Sequence, residues 1–123
     1  LFHPSFAGVS LGLLHGAQPE ALVLCDEPGR AHMRGIPGRP TPGLADTLER
    51  NLEAARVTSP QVRAVGICLN TSKLDRDEAL RLCARTEDEL GLPCTDPVAF
   101  GVEAIIDRLL CVEPSTPATI ASR

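Results

Sequence analysis

The stretch VRAVGICL (residues 62–69) decides the fold. Apart from Arg63 it carries no charge, and a continuous apolar run of this length is typical of a parallel β-strand covered on both faces. A second run, ALVLC (residues 21–25), is too short for a helix and has polar residues on both sides. It therefore predicts another buried strand.

Helical patterns alternate with these two strands. An apolar stretch from Val9 to Leu14, stopped by Gly16, predicts a helix of about two turns. After a loop rich in glycine and proline, Thr41-Pro42 predicts an N-cap followed by proline at the first helical position. Leucines at helical spacing follow, and Pro60 ends this second helix.

The second half of the chain continues the alternation. Asp75 and Glu78 resemble a capping box that opens a third helix, and Gly91 supplies its C-cap. Residues 92–95 predict a short third strand, and Asp96-Pro97 predicts the cap of a last helix with an apolar stripe. This order predicts an α/β fold, a layered parallel sheet with flanking helices. Because the sheet is small, we expect further strands upstream of Leu1.

Composition excludes several classes of protein. The chain has 123 residues, 2% aromatic residues and a net charge of -4, which argues against a nucleic-acid partner. No apolar run approaches the ~18 residues of a membrane span, and no signal peptide opens the chain. Residues 112–123, which contain two prolines and no periodicity, predict a disordered tail.

The five cysteines form no CxxC pair and lie at no zinc-ligand spacing to a histidine. Their number and spacing favour buried free thiols in a reducing cytoplasm, with no metal site. A nucleophilic role for Cys25 stays open as an alternative.

The carboxyl ends of parallel strands are where ligands bind in such sheets, and a basic loop follows the first strand. It contains Arg30, His32, Arg34 and Arg39, with no acid between Pro28 and Ala45. Arginine binds phosphate and carboxylate through paired N–H donors, so the loop predicts an anionic small-molecule substrate. The alternative is an ordinary solvated surface loop.

Three further polar residues are candidates for chemistry. Asn70 follows the second strand and has the donor and acceptor needed to read a base or an amide; the alternative is that it caps a turn. His3 and His15 flank the first apolar stretch, and each is a candidate general base or a hydrogen-bonded structural residue. No glycine-rich phosphate loop is present.

Three sequence motifs resemble a known family. FHPSFAGVSLGLLHG (residues 2–16), VGICLN (residues 65–70) and GLPCTDP (residues 91–97) are similar, in that order, to domain of unknown function 1611, over about residues 1–110. The resemblance implies that residues 1–111 are the C-terminal part of a P-loop NTPase-like domain similar to dethiobiotin synthetase. The phosphate loop would then lie before Leu1, in a missing N-terminal portion of the same protein.

A member of this family is known as a D-glutamate N-acetyltransferase. The resemblance therefore implies a C-terminal fragment of an amino-acid N-acyltransferase that depends on acetyl-CoA. We expect the fragment alone to be inactive, and the complete protein can be a homo-oligomer. It implies that His3 and Ser5 lie beside the phosphate site, that Asn70 contacts the base, and that Arg30 holds a carboxylate or a coenzyme A phosphate.

Two alternatives to the acyltransferase remain. P-loop ancestry also suits an ATP-dependent ligase or kinase-like enzyme, and a non-catalytic truncated module is the third reading.

Overall fold

The computed structural model describes residues 1–111, which contain four helices and three strands. In chain order these are α1 (Ala7–Ala17), β1 (Ala21–Asp26), α2 (Leu44–Arg56), β2 (Arg63–Leu69), α3 (Arg76–Leu90), β3 (Cys94–Thr95) and α4 (Glu103–Leu110). No helix in this part of the chain is long and apolar enough to cross a membrane. The tail expected for 112–123 lies outside the described residues.

The three strands form one parallel sheet in the order β1-β2-β3. β2 is central, so the run that decided the fold from sequence is also the strand with partners on both sides. Its contact with β3 is short and pairs Ile67 with Cys94 and Cys68 with Thr95. The predicted α/β class, with a parallel sheet and flanking helices, is confirmed.

The core is built on β2, whose alternate side chains face opposite layers. Val65, Ile67 and Leu69 are 1%, 0% and 1% exposed. Ile67 and Leu69 pack in a cluster with residues of α3 and β3, and leucines of α2 contact this cluster. On the other face, α4 lies so close that a Cβ at Gly66 would be 2.6 Å from Cγ1 of Ile105. Glycine at position 66 therefore sets the approach of α4.

The ends of α3 agree with the sequence. The Glu78 N–H donates to Asp75 Oδ1 at 2.8 Å, and the Asp75 N–H donates to Glu78 Oε2 at 3.3 Å. Gly91 ends the helix in the left-handed conformation with φ +65°. The capping box and the C-terminal glycine each lie within a few residues of the helix end that they stabilise.

Two helix starts were predicted wrongly. The N-cap of α2 is Gly43, not Thr41, because the Thr41 hydroxyl donates to the Arg30 carbonyl at 3.0 Å across the loop. The last helix begins at Glu103, not at Pro97. Asp96 caps only a turn, and Gly101 at φ +85° separates that turn from α4.

α1 is longer than the two turns expected, with 11 residues, and none of them is buried. It packs against α2, yet Val9 and Leu13 are each 71% exposed. On β1, which has β2 on one side only, Val23 is 43% exposed. Within the described residues, α1 and β1 thus leave apolar surface uncovered.

Candidate functional site

The carboxyl ends of the three strands open onto a cavity of about 590 Å³. Its wall is made by residues 25–26 after β1, 68–72 after β2 and 96–100 after β3, together with Leu74, Arg76 and Ala79. This volume lies in the range of small-molecule sites. The sequence predicted ligand binding at this edge of the sheet, and a cavity of suitable volume lies there.

Asp96 ties two walls of this cavity together. Its Oδ2 accepts from the Thr71 hydroxyl at 2.6 Å and from the Thr71 N–H at 2.8 Å. Its Oδ1 accepts from the N–H groups of Val98 and Ala99 at 3.0 and 3.2 Å. The Thr71 hydroxyl, with these N–H donors, lowers the pKa of Asp96 to about 2. A buried carboxylate held by four donors is a structural clamp, and sequence reasoning had assigned it only a helix cap.

Asn70 lines the cavity and also shapes the turn after β2. Its N–H donates to the Asp26 carbonyl at 2.9 Å, which extends the pairing of β1 with β2. Its Oδ1 accepts from the Ser72 N–H at 3.2 Å. Within residues 1–111 its Nδ2 donates to no acceptor. The turn-capping alternative is therefore seen in the structure, and both N–H donors of the side-chain amide remain for a ligand.

Two thiols lie side by side at the base of the same cavity. Cys25 and Cys68 are direct partners in the β1–β2 register, and both line the wall. Burial, and then the neighbouring Cys25 thiol, raise the pKa of Cys68. All five cysteines are free, as expected, but Cys25 and Cys111 are exposed, so the expectation of buried thiols was wrong for these two.

The basic loop does not reach the cavity wall. Arg30 forms an ion pair with Glu27, whose Oε1 also accepts from Lys73 Nζ at 2.6 Å. Lys73 and Arg30 together lower the pKa of Glu27. Arg30, His32 and Arg34 are exposed, and none of them lines the cavity. Arg30 is thus paired with an acid that directly precedes the acid-free stretch, and Lys73 shares that acid.

His3 and Ser5 lie at the same edge of the sheet as the cavity, because α1 leads from them to the amino end of β1. His3 Nε2 donates to the Arg34 carbonyl at 2.9 Å, and its Nδ1 accepts from the Ser5 N–H at 3.2 Å. These partners specify the neutral Nε2–H tautomer. The structure therefore joins His3, Ser5 and the loop carrying Arg34, and none of these three residues lines the cavity.

His15 lies at the opposite edge of the sheet. Its Nε2 donates to the carbonyl of Ala54, near the end of α2, at 2.8 Å. The ends of α1 and α2 both lead into the amino ends of strands. The structure separates His15 from the cavity and holds it against the main chain of a neighbouring helix.

Sequence reasoning missed one pair of cavity residues. The Arg76 guanidinium carbon is 5.2 Å from the centre of the Phe100 ring, and both side chains line the wall. The available signal was the position of Arg76 directly after the Asp75 cap, at the start of a helix that begins at the ligand edge. Within residues 1–111, no group of three or more His, Cys, Asp or Glu is placed to hold a metal ion.

The family described as "Domain of unknown function (DUF1611_C) P-loop domain" matches residues 1–106. The chain belongs to this family. The matched residues of this member of domain of unknown function 1611 include the whole of the sheet and every residue that lines the cavity.

Two curated relatives have the name D-glutamate N-acetyltransferase. The protein from a Pseudoalteromonas species is 47% identical over 109 residues, which are 89% of this chain and 33% of the relative. The protein from Tritonibacter scottomollicae is 40% identical over 112 residues, 91% of this chain and 34% of the relative. The chain spans about a third of the length of these relatives.

A solved structure has the same fold. The crystal structure of a domain of unknown function 1611 family protein from Anabaena variabilis superimposes with a TM-score of 0.80 at 37% identity. The match covers 89% of this chain and 32% of that protein.

Proposed function

We propose that this chain forms part of an amino-acid N-acetyltransferase that moves an acetyl group from acetyl-CoA to the amino group of D-glutamate or a similar acidic amino acid. The observation that carries the proposal is the 47% identity, over 109 residues, to a protein named D-glutamate N-acetyltransferase. Because the chain spans 33% of that relative, the proposal is for the complete gene product that contains it.

The cavity at the carboxyl ends of the strands is the proposed site for the adenosine end of acetyl-CoA. Its wall combines apolar side chains, among them Leu74, Val98 and Phe100, with a few polar groups, which is the usual composition of a cofactor site. The Nδ2 donor of Asn70 suits an acceptor nitrogen of a base. A volume of about 590 Å³ is larger than a free amino acid requires, which favours the nucleotide.

His3 is the proposed general base. In the reaction the substrate ammonium loses a proton, the nitrogen bonds to the thioester carbonyl carbon, and the carbon–sulfur bond breaks as coenzyme A leaves as a thiolate that takes up a proton. The Nδ1 lone pair of His3 accepts from the Ser5 N–H, so proton abstraction requires that this 3.2 Å contact open when substrate binds. His15, at the opposite edge, has no part in this proposal.

The test is an assay of the complete gene product with acetyl-CoA and D-glutamate, in which N-acetyl-D-glutamate and free coenzyme A are measured by mass spectrometry. We expect one acetylated product per coenzyme A released, and a loss of at least about 100-fold in kcat for His3→Ala. His15→Ala is the matched control, and it should retain its kcat if folded.

A second candidate function is an ATP-dependent ligase or kinase-like activity. The description of the family domain as a P-loop domain favours it. The same protein is therefore incubated with ATP and D-glutamate. Formation of ADP or AMP that depends on the amino acid, without acetyl transfer, would replace the first proposal. Failure of both reactions would leave the non-catalytic alternative.

A further inference from the structure

The cavity wall contains one cationic side chain and two carboxylates. Among residues 1–111 the cation is Arg76, and the acids are Asp26 and Asp96. Asp96 is saturated by donors from Thr71 and from two main-chain N–H groups, so it offers little to a ligand. The positive charge that an anionic ligand would meet at this wall is therefore that of Arg76, and the exposed Asp26 carboxylate at the end of β1 contributes an opposing negative charge.

Arg76 is held at the wall while its N–H groups stay available. Its guanidinium carbon lies 5.2 Å from the centre of the Phe100 ring, a cation–π contact that restrains the side chain without using its donors. The ion pairs within residues 1–111 use other cations, namely Arg30, Arg50 and Lys73. Within residues 1–111, Arg76 is thus an exposed cation that contacts Phe100 and takes part in no ion pair.

Arg30, which the sequence favoured for anion binding, is less suited to that role than Arg76. It is paired with Glu27, and it does not line the cavity. Binding an anion through Arg30 would first require breaking that ion pair.

We propose that Arg76 recognises an oxyanion of the ligand bound in this cavity and that Phe100 is its positioning residue. The identity of the ligand rests on the proposed function, since coenzyme A carries phosphates and D-glutamate carries two carboxylates. A planar guanidinium binds either group through two parallel N–H bonds, which lysine does not reproduce.

The test is to measure the affinity of the complete gene product for three probes separately by titration calorimetry: coenzyme A, ATP and D-glutamate. Coenzyme A without its 3′-phosphate is added as a fourth probe. For Arg76→Gln we expect the Kd of the probe that wild type binds to rise about 10- to 100-fold, the loss of a charge-assisted pair. Arg76→Lys should recover only part of that loss.

The four probes identify the anion. If the phosphate that arginine reads is the 3′-phosphate, wild type prefers coenzyme A over the form lacking it and Arg76→Gln abolishes the preference. A loss confined to D-glutamate assigns the carboxylate instead. Unchanged Kd values in Arg76→Gln, or no binding of any probe by wild type, overturn the proposal.

Two controls separate recognition from folding. Arg81→Gln removes a cation from the same helix, outside this cavity, and should leave every Kd unchanged. Phe100→Leu keeps the cation but removes the ring, so it should weaken the same probe as Arg76→Gln, and by less. Binding is measured without turnover, so the two proposals can fail separately. If acetyl transfer is absent but Arg76→Gln still raises Kd, only the proposed function fails. If acetyl transfer occurs but Arg76→Gln leaves Kd unchanged, only the role of Arg76 fails.

Discussion

Asp96 joins the two loops that carry most of the cavity's polar atoms, and it is 6% exposed. Asp96→Ala leaves the hydroxyl and N–H of the buried Thr71 without an acceptor and also removes the partner of the Val98 and Ala99 N–H groups, so we expect it to lower the free energy of unfolding by about 2–4 kcal/mol. Urea unfolding measures this loss. Asp107→Ala on the exposed side of α4 is the control and should change stability by less than about 0.5 kcal/mol. Equal effects of the two substitutions would contradict the clamp.

The same carboxylate makes stability depend on pH. Its pKa is lowered from the usual 3.8 to about 2 in the folded chain, so its contribution is complete above 3.8. As the pH falls from about 4 towards 2, the unfolded state takes up the proton first and the stabilisation is lost. Asp96→Asn should flatten the acid limb of the stability profile in this window. An unchanged slope would assign the acid limb to other carboxylates.

Asn70 has two functions that substitution can separate. Asn70→Asp keeps an oxygen that accepts from the Ser72 N–H but removes the amide donor, while Asn70→Ala removes both. We expect Asp at this position to preserve the melting temperature and to weaken coenzyme A binding by about 1–3 kcal/mol. Unchanged affinity in both variants would leave Asn70 with the turn alone.

At the scale of elements, β2 and α4 meet at Gly66, where the Ile105 side chain of α4 packs directly on the main chain of β2. A Cβ at Gly66 would lie 2.6 Å from Cγ1 of the buried Ile105, so Gly66→Ala overpacks this contact and should cost about 1–3 kcal/mol. Thermal unfolding of the variant measures the cost, and a second substitution, Ile105→Val, should recover part of it. Gly12→Ala in α1 is the control, since its Cβ meets nothing within 4 Å and alanine favours the helix.

Elements whose signals are local could be predicted from sequence. The cap of α3 lies in Asp75 and Glu78, three residues apart, and the strands lie in uninterrupted apolar runs. The start of α2 was missed because Thr41 bonds across the loop to Arg30, 11 residues earlier. Contacts between residues distant in sequence also explain why the cavity wall was only partly predicted. Its edge follows from strand direction, but Arg76 depends on Phe100 and Asp96 on Thr71, pairs that are 24 and 25 residues apart.

At the scale of the whole molecule, the uncovered apolar surface lies on α1 and along β1. Val9 and Leu13 are four residues apart on one helix and equally exposed, and among residues 1–111 β1 pairs with β2 on one side only. An exposed strand edge beside apolar surface promotes association. We expect the isolated 123-residue chain to aggregate or to melt broadly at low temperature. Scattering and calorimetry measure both properties.

Replacing that surface tests its cause. Val9→Glu with Leu13→Glu should raise the solubility of the isolated chain without lowering its melting temperature, because neither side chain is buried. In the complete gene product, the same pair should lower stability if another segment covers α1. A sharp, concentration-independent transition of the unmodified chain would contradict this account.

The position of Cys25 has a practical consequence. Cys25 is exposed and lines the cavity, whereas the adjacent Cys68 is half-buried, and Cys111 lies near Arg63 at the other end of the sheet. After Cys111→Ser, weakly electrophilic acrylamide fragments would be directed to the exposed Cys25 in preference to the less accessible Cys68. Covalent fragment screening can then find compounds that fill this edge before its natural ligand is identified, and a tethered fluorophore there would report when that ligand enters.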